Sequence, residues 1–231
     1  MAKTAVITGG SGGIGLACAQ ALKVRGYDVV LTARTEKTLR EAAEGVGARW
    51  VAADSAEPEE FSRVLAGLES VELLIHSAGV LDGTFVRKEA VETWDAVVRG
   101  NLRSSFVVCN AVIPLMPVGG RIVLISSSSS KYPMKGRAAY SASKAGVNAF
   151  ASALRDEVAR DGINVNVLIP APVETAMLEG VSFGMHMIQA RDVADAVVFL
   201  DALDPTVIVP EIYMEAHSSG PLAPKLSEHG S

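Results

Sequence analysis

Aromatic side chains make up only 5% of this 231-residue sequence, so its interior must be assembled from small aliphatic groups. Cysteine occurs twice, at Cys18 and Cys109, each inside an apolar helical pattern. That excludes a disulfide framework and a thiolate metal site. It implies two buried free thiols in a reducing, cytoplasmic setting. The four histidines, His76, His186, His217 and His229, share no ligand spacing, and no metal is expected. Charge of neither sign dominates: 21 Lys and Arg against 26 Asp and Glu leave a net charge of -5 at pH 7. With no basic surplus to follow a phosphate backbone, nucleic acid is not an expected partner. No apolar run is long enough to cross a bilayer, so no membrane partner is expected either. The N-terminus carries Lys3 and reaches Gly9 too early for a secretory leader.

What is present is ample material for a core: 49% of residues are hydrophobic. Short apolar runs alternate with longer segments of 3.6-residue period. The runs predict strands over 4–8, 28–33, 49–53, 71–76, 121–126, 163–169 and 207–209 or slightly beyond. The longer segments predict helices near 13–25, 36–45, 57–68, 89–99, 101–116, 138–160 and 190–203. Strands that are apolar on both faces and alternate with helices make a parallel sheet covered on both sides. The expected fold class is therefore α/β: a single-domain, doubly wound parallel sheet of Rossmann type, about seven strands with helices on both faces. The domain spans 1–217, and the Ser-, Gly- and Pro-rich segment 218–231 reads as a flexible tail. The serine run 126–130 follows a predicted strand, where this architecture places functional loops.

The first strand runs straight into Gly9-Gly10-Ser11-Gly12-Gly13-Ile14-Gly15, and a helical segment follows. Gly10, Gly12 and Gly15 fit the spacing G-x-G-x-x-G, while Gly9, Gly13 and Gly15 fit G-x-x-x-G-x-G. Such a turn needs backbone angles and close approaches that a Cβ forbids, and the helix behind it offers unpaired N–H groups to a pyrophosphate. The reading is a bound dinucleotide. Its identity turns on the end of the second strand, where an NAD site carries an acid for the ribose hydroxyls. Here Ala33-Arg34 stands instead: no carboxylate repels a 2′-phosphate, and a guanidinium can pair with it. That favours NADP (NADPH) over the alternative of Arg34 as a plain surface charge. Asp54, ending the third strand, could accept from an adenine amino group or serve as an acid at the start of the next helix.

Tyr140 and Lys144 stand four residues apart on a helical segment and so share one face. A free phenol titrates near ~10, and a neighbouring ammonium is expected to lower that value toward the working range. Four tyrosines and eight lysines in 231 residues produce this spacing by chance roughly once in seven. Spacing alone therefore does not separate a catalytic pair from an ordinary amphipathic helix.

Taken together, Thr8-Gly9-x-x-x-Gly13-x-Gly15, Ala78-Gly79, Gly100-Asn101-Leu102, the serine after the fifth strand, Tyr140-x-x-x-Lys144, and Pro170 with Thr175 resemble the short-chain dehydrogenase/reductase family, from Thr8 to about Met214. The resemblance implies an oxidoreductase moving hydride between a nicotinamide and a carbonyl or alcohol substrate. It implies a tetrad. Tyr140 would be the general acid in reduction and the base in oxidation. Lys144 would lower the tyrosine pKa and hold the nicotinamide ribose. Ser127 would donate to the substrate oxygen, with Ser128 as the alternative or all five serines serving only the turn. Asn101 would hold a relay water, or act merely as a capping amide. Cofactor contacts are implied at Thr8, Gly9, Ser11, Gly12, Gly13, Ile14 and Gly15, at Arg34, at Asp54 and Ser55, and at Ser77, Ala78 and Gly79. Tyr140, Lys144, Pro170, Val173 and Thr175 complete that set.

The chain departs from the family pattern at two places. His76-Ser77-Ala78-Gly79 replaces Asn-Asn-Ala-Gly, and Pro170-Ala171-Pro172 replaces Pro-Gly. His76 reads as a structural hydrogen-bonding group more than a catalytic one. Residues 176–188 occupy the place of a substrate lid. They are short, with Gly180 and Gly184 for mobility and Met177, Leu178, Phe183, Met185 and Met187 as an apolar cover or as core. The segments 101–116 and 138–160 are apolar around much of their circumference, which with the resemblance implies a homotetramer or homodimer. Two other readings stand beside the enzyme. One is an NADP-binding sensor or scaffold of the same fold. The other is a methyltransferase, which would leave Arg34 and the Tyr-Lys pair without a role.

Overall fold

A computed structural model describes residues 2–175 and 187–217. Its main sheet has seven strands: β1 (Thr4–Thr8), β2 (Asp28–Ala33), β3 (Arg49–Ala52), β4 (Leu73–His76), β5 (Arg121–Ile125), β6 (Asn164–Pro170) and β9 (Glu211–Met214). They are all parallel and lie in the order β3-β2-β1-β4-β5-β6-β9. Two short strands, β7 (Val173–Glu174) and β8 (Ile188–Gln189), pair beside it. The strand order reverses between β1 and β4, and that switch point opens a crevice at the carboxyl ends of the strands.

Alternate residues of the central strands feed two separate cores. Helices α1 (Gly13–Val24), α2 (Glu36–Val46) and α7 (Ala190–Asp201) cover one face, closing over Ile7, Leu31, Ile75 and Leu168. On the other face, α3 (Pro58–Leu65), α5 (Ser104–Val112) and α6 (Ala138–Val158) pack Phe61, Val108 and Leu154 over Val6, Leu74 and Ile169. Both cysteines are buried free thiols, and burial pushes Cys18 up to about 12. No helix among the described residues is long and apolar enough to cross a membrane.

Three expectations shift. The last strand lies slightly beyond Val207–Val209, at Glu211–Met214. The apolar run 207–208 is exposed, while Val167 N–H donates to the Pro210 carbonyl and sets the register Val167↔Glu211 beyond it. The helices expected at 89–99 and 101–116 are one continuous run. Helix α4 (Val91–Val98) passes into α5 through a π turn over Arg99–Arg103, which inserts a residue and swings Asn101 inward. Of the expected lid, Ile188 lies in β8, whereas 176–186 and the tail 218–231 fall outside the described residues.

Candidate active site

The crevice holds a cavity of about 660 Å³. Its floor is the turn after β1. Gly9 (φ +68°) lies so close to β4 that a Cβ there would meet Ala78 N at 2.9 Å. Helix α1 begins at Gly13 with no side-chain cap and no acid in its first turn, so its leading N–H groups and dipole face the cavity uncompensated. Gly12 has nothing within 4 Å of the place its Cβ would occupy. An uncapped helix start beside an open glycine face is the right shape and sign for a pyrophosphate. A nicotinamide dinucleotide therefore fits the residues present.

Most of the expected cofactor contacts line this cavity: Gly9, Ser11, Gly12, Gly13, Ile14, Gly15, Arg34, Asp54, Ser55, Ser77, Ala78, Gly79, Pro170, Val173 and Thr175. Thr8 does not. It is fully buried beneath the floor, where its Oγ1 lies 2.7 Å from His76 Nδ1 and accepts from Ala78 N at 3.2 Å. Ser77 Oγ donates to the Thr8 carbonyl at 2.6 Å. These bonds show what His76-Ser77 accomplishes in place of two amides: the pair staples β4 to β1 and to Ser104 Oγ, 3.1 Å from His76 Nε2. Burial, with the Lys144 charge adding to it, pushes His76 down to about 3, so its ring is neutral at pH 7.

Ser127, Tyr140 and Lys144 line the same cavity. The serine run divides its labour. Ser126 Oγ donates to the Lys144 carbonyl (3.3 Å), Ser129 N–H donates to Ser127 Oγ (3.2 Å), and Ser130 Oγ donates to the Ser127 carbonyl (2.7 Å). Ser127 is the serine of the run whose hydroxyl acts on the Tyr140 phenol. Lys144 is buried and donates to the Ile125 carbonyl at 2.8 Å, its Nζ 5.9 Å from the Tyr140 ring centre. Burial pulls its ammonium down to about 8. The phenol moves the other way: burial holds it above its ordinary value, and only the Ser127 hydroxyl opposes that. The Lys144 ammonium, while bonded to the Ile125 carbonyl, stands over the face of the Tyr140 ring.

Asn101 also lies behind the cavity wall. Its Nδ2 donates to the Val80 carbonyl and to Ser143 Oγ, both at 2.9 Å, and its Oδ1 accepts from Val80 N–H at 2.8 Å. It fixes the loop after β4 to the helix carrying Lys144. Sequence reasoning missed Arg99, which lines the cavity and pairs with Asp54 at 2.9 Å. Its signal was hidden, since a lone arginine on an amphipathic helix reads as a solvated charge. Among the described residues no cluster of His, Cys, Asp and Glu could hold a metal.

The architecture and the site define a dinucleotide-binding α/β oxidoreductase. The family description "short chain dehydrogenase" matches residues 3–184, and the chain belongs to that family. It is 34% identical over 206 residues to an uncharacterized oxidoreductase of Staphylococcus epidermidis, covering 85% of this chain and 90% of the relative. It is 35% identical over 212 residues to acetoacetyl-CoA reductase of Cupriavidus necator, covering 85% and 81%. A variant of actinorhodin polyketide ketoreductase solved with NADPH superposes with a TM-score of 0.85 at 30% identity, over 92% of this chain and 95% of that one.

Proposed function

We propose that the protein is an NADP(H)-dependent reductase of carbonyl compounds, working in the cytoplasm as a homodimer or homotetramer. The observation that carries this is the joining, in one cavity, of the uncapped α1 terminus, Arg34 and the Ser127-Tyr140-Lys144 wall. The dinucleotide supplies the hydride when bound. The chain positions the substrate and moves the proton. Ser127 Oγ donates to the carbonyl oxygen and steadies the charge that develops there. Tyr140 delivers its phenolic proton to that oxygen. Burial holds the phenol above its ordinary value, and the Ser127 hydroxyl opposes that shift. Lys144, anchored on Ile125, keeps a positive charge near the phenolate that is left.

Arg34 is exposed at the cavity rim and makes no ion pair among the described residues. Fluorescence titration should show tighter binding of NADPH than NADH. Arg34→Ala should weaken NADPH about tenfold and leave NADH nearly as it was. Equal affinities in the parent protein would defeat the NADP assignment. The relative solved with NADPH supports it.

Self-association is supported by Phe106 of α5, which is 55% exposed and packs edge-on against Phe150 of α6 at 6.5 Å. An aromatic pair on two adjoining helices suits a face that another copy covers. Light scattering at micromolar concentration should give the mass of two or four chains, and a single-chain mass would refute the assembly.

A further inference from the structure

Asp54 is the only carboxylate lining the cavity among the described residues, and it lies at the end where Arg34 sits. An uncompensated acid there would draw on the positive charge of Arg34, whose field reaches the Asp54 carboxylate. It is not uncompensated. Arg99 Nη2 lies 2.9 Å from Asp54 Oδ2 and 2.7 Å from Glu57 Oε1, with its Nε 3.2 Å from the same Glu57 oxygen. Arg103 Nη1 adds a 3.0 Å contact to Glu57. Asp54 Oδ1 accepts from the Ala56 N–H at 2.9 Å. Arg99 and Arg103 thus balance Asp54 and Glu57, and the Arg34 charge is left over.

We infer that Arg99 is a specificity-determining residue that acts through Asp54: it cancels the carboxylate at the adenosine end of the cavity and leaves Arg34 free to hold a 2′-phosphate. This rests on the NADP reading above. The role needs an arginine, because one fork must bridge two carboxylates from its place in the π turn. It also explains how the chain keeps an acid at the end of β3 while lacking one after β2.

The test is equilibrium binding of NADPH and NADH to the protein alone, followed by fluorescence, with a thermal melt for each variant. Arg99→Gln should cut the NADPH-to-NADH preference about tenfold, chiefly through weaker NADPH binding, the scale expected for one unneutralised charge a few ångströms from another near a protein surface. Adding Asp54→Asn to Arg99→Gln should restore most of the preference, since no carboxylate then remains to be cancelled. Arg99→Lys, which keeps the charge without the fork, should retain part of it and guards against a simple folding failure. Arg103→Gln, which touches Glu57 alone, should leave the preference unchanged. The inference is overturned if Arg99→Gln weakens both cofactors equally, the mark of a mere brace between the loop and α4, or if Asp54→Asn gives no recovery. If Arg34→Ala lowers the preference while Arg99→Gln does not, only this inference falls. If the parent protein does not prefer NADPH, or Arg34→Ala leaves the preference intact, the NADP reading falls and takes this one with it.

Discussion

Tyr140→Phe should reduce turnover of any carbonyl substrate by about 10²–10⁴-fold while NADPH still binds with nearly its parental affinity. The phenol lines the cavity wall beside Ser127, and phenylalanine keeps its ring. Removing one oxygen therefore takes away the proton donor and leaves the shape. Ser127→Ala should cost less, because a hydrogen-bond donor is lost while the acid remains. The measurement is absorbance at the nicotinamide band with a panel of ketones and aldehydes, paired with cofactor titration. The paired measurement separates an enzyme from a sensor of the same fold. A protein that only reports NADPH would bind it, turn nothing over, and lose nothing when Tyr140 becomes Phe. Turnover that survives in Tyr140→Phe would move the proton donor elsewhere.

The strands of this chain were readable because most are short apolar runs set between longer segments of helical period, and six of the seven in the main sheet lie within about two residues of where the pattern puts them. The seventh lies slightly beyond its run. Val207-Ile208-Val209 has the composition of a strand, yet the ladder forms one step later, because β6 offers Val167 N–H to the carbonyl of Pro210. Only the neighbouring strand decides that, and no local pattern carries it. Likewise the break expected between α4 and α5 is a π turn, whose cause is the tertiary demand of Asn101 on the Val80 backbone.

The candidate site was legible to the extent that backbone chemistry defines it. Glycines at forced approaches and an i, i+4 pair on one helix face are properties of spacing. Which polar groups reach the cavity is a property of depth, and there the order changes. Thr8 and Asn101 serve behind the wall, and His76 becomes a neutral staple. Arg99, silent in the pattern, comes forward only because its partners Asp54 and Glu57 lie more than forty residues away.

The two glycines of the first turn should part company when each receives a methyl group. At Gly15 a Cβ would collide with the Gly9 carbonyl oxygen and stand 2.8 Å from Ser77 Oγ. Neither neighbour can yield: one is backbone in the turn, and the other is bonded to the Thr8 carbonyl. Gly15→Ala should therefore cost about 1–3 kcal/mol of stability, a fall of several degrees in the melting temperature of a chain this size, together with cofactor binding. Gly12 is different. Its φ of 173° is extended backbone that alanine adopts freely, and its side-chain position opens on the cavity with nothing within 4 Å. Gly12→Ala should melt with the parent protein. Yet its methyl group would occupy the space over the α1 terminus where a pyrophosphate must sit to accept the leading N–H groups. Losing one or two such charge-assisted hydrogen bonds weakens NADPH and NADH alike by about 10–100-fold. Calorimetry for stability and fluorescence for affinity read the two effects separately. If Gly12→Ala kept both, the phosphates would lie away from the helix terminus. If it lost stability without being filled, the open face would belong to the fold and not to the ligand.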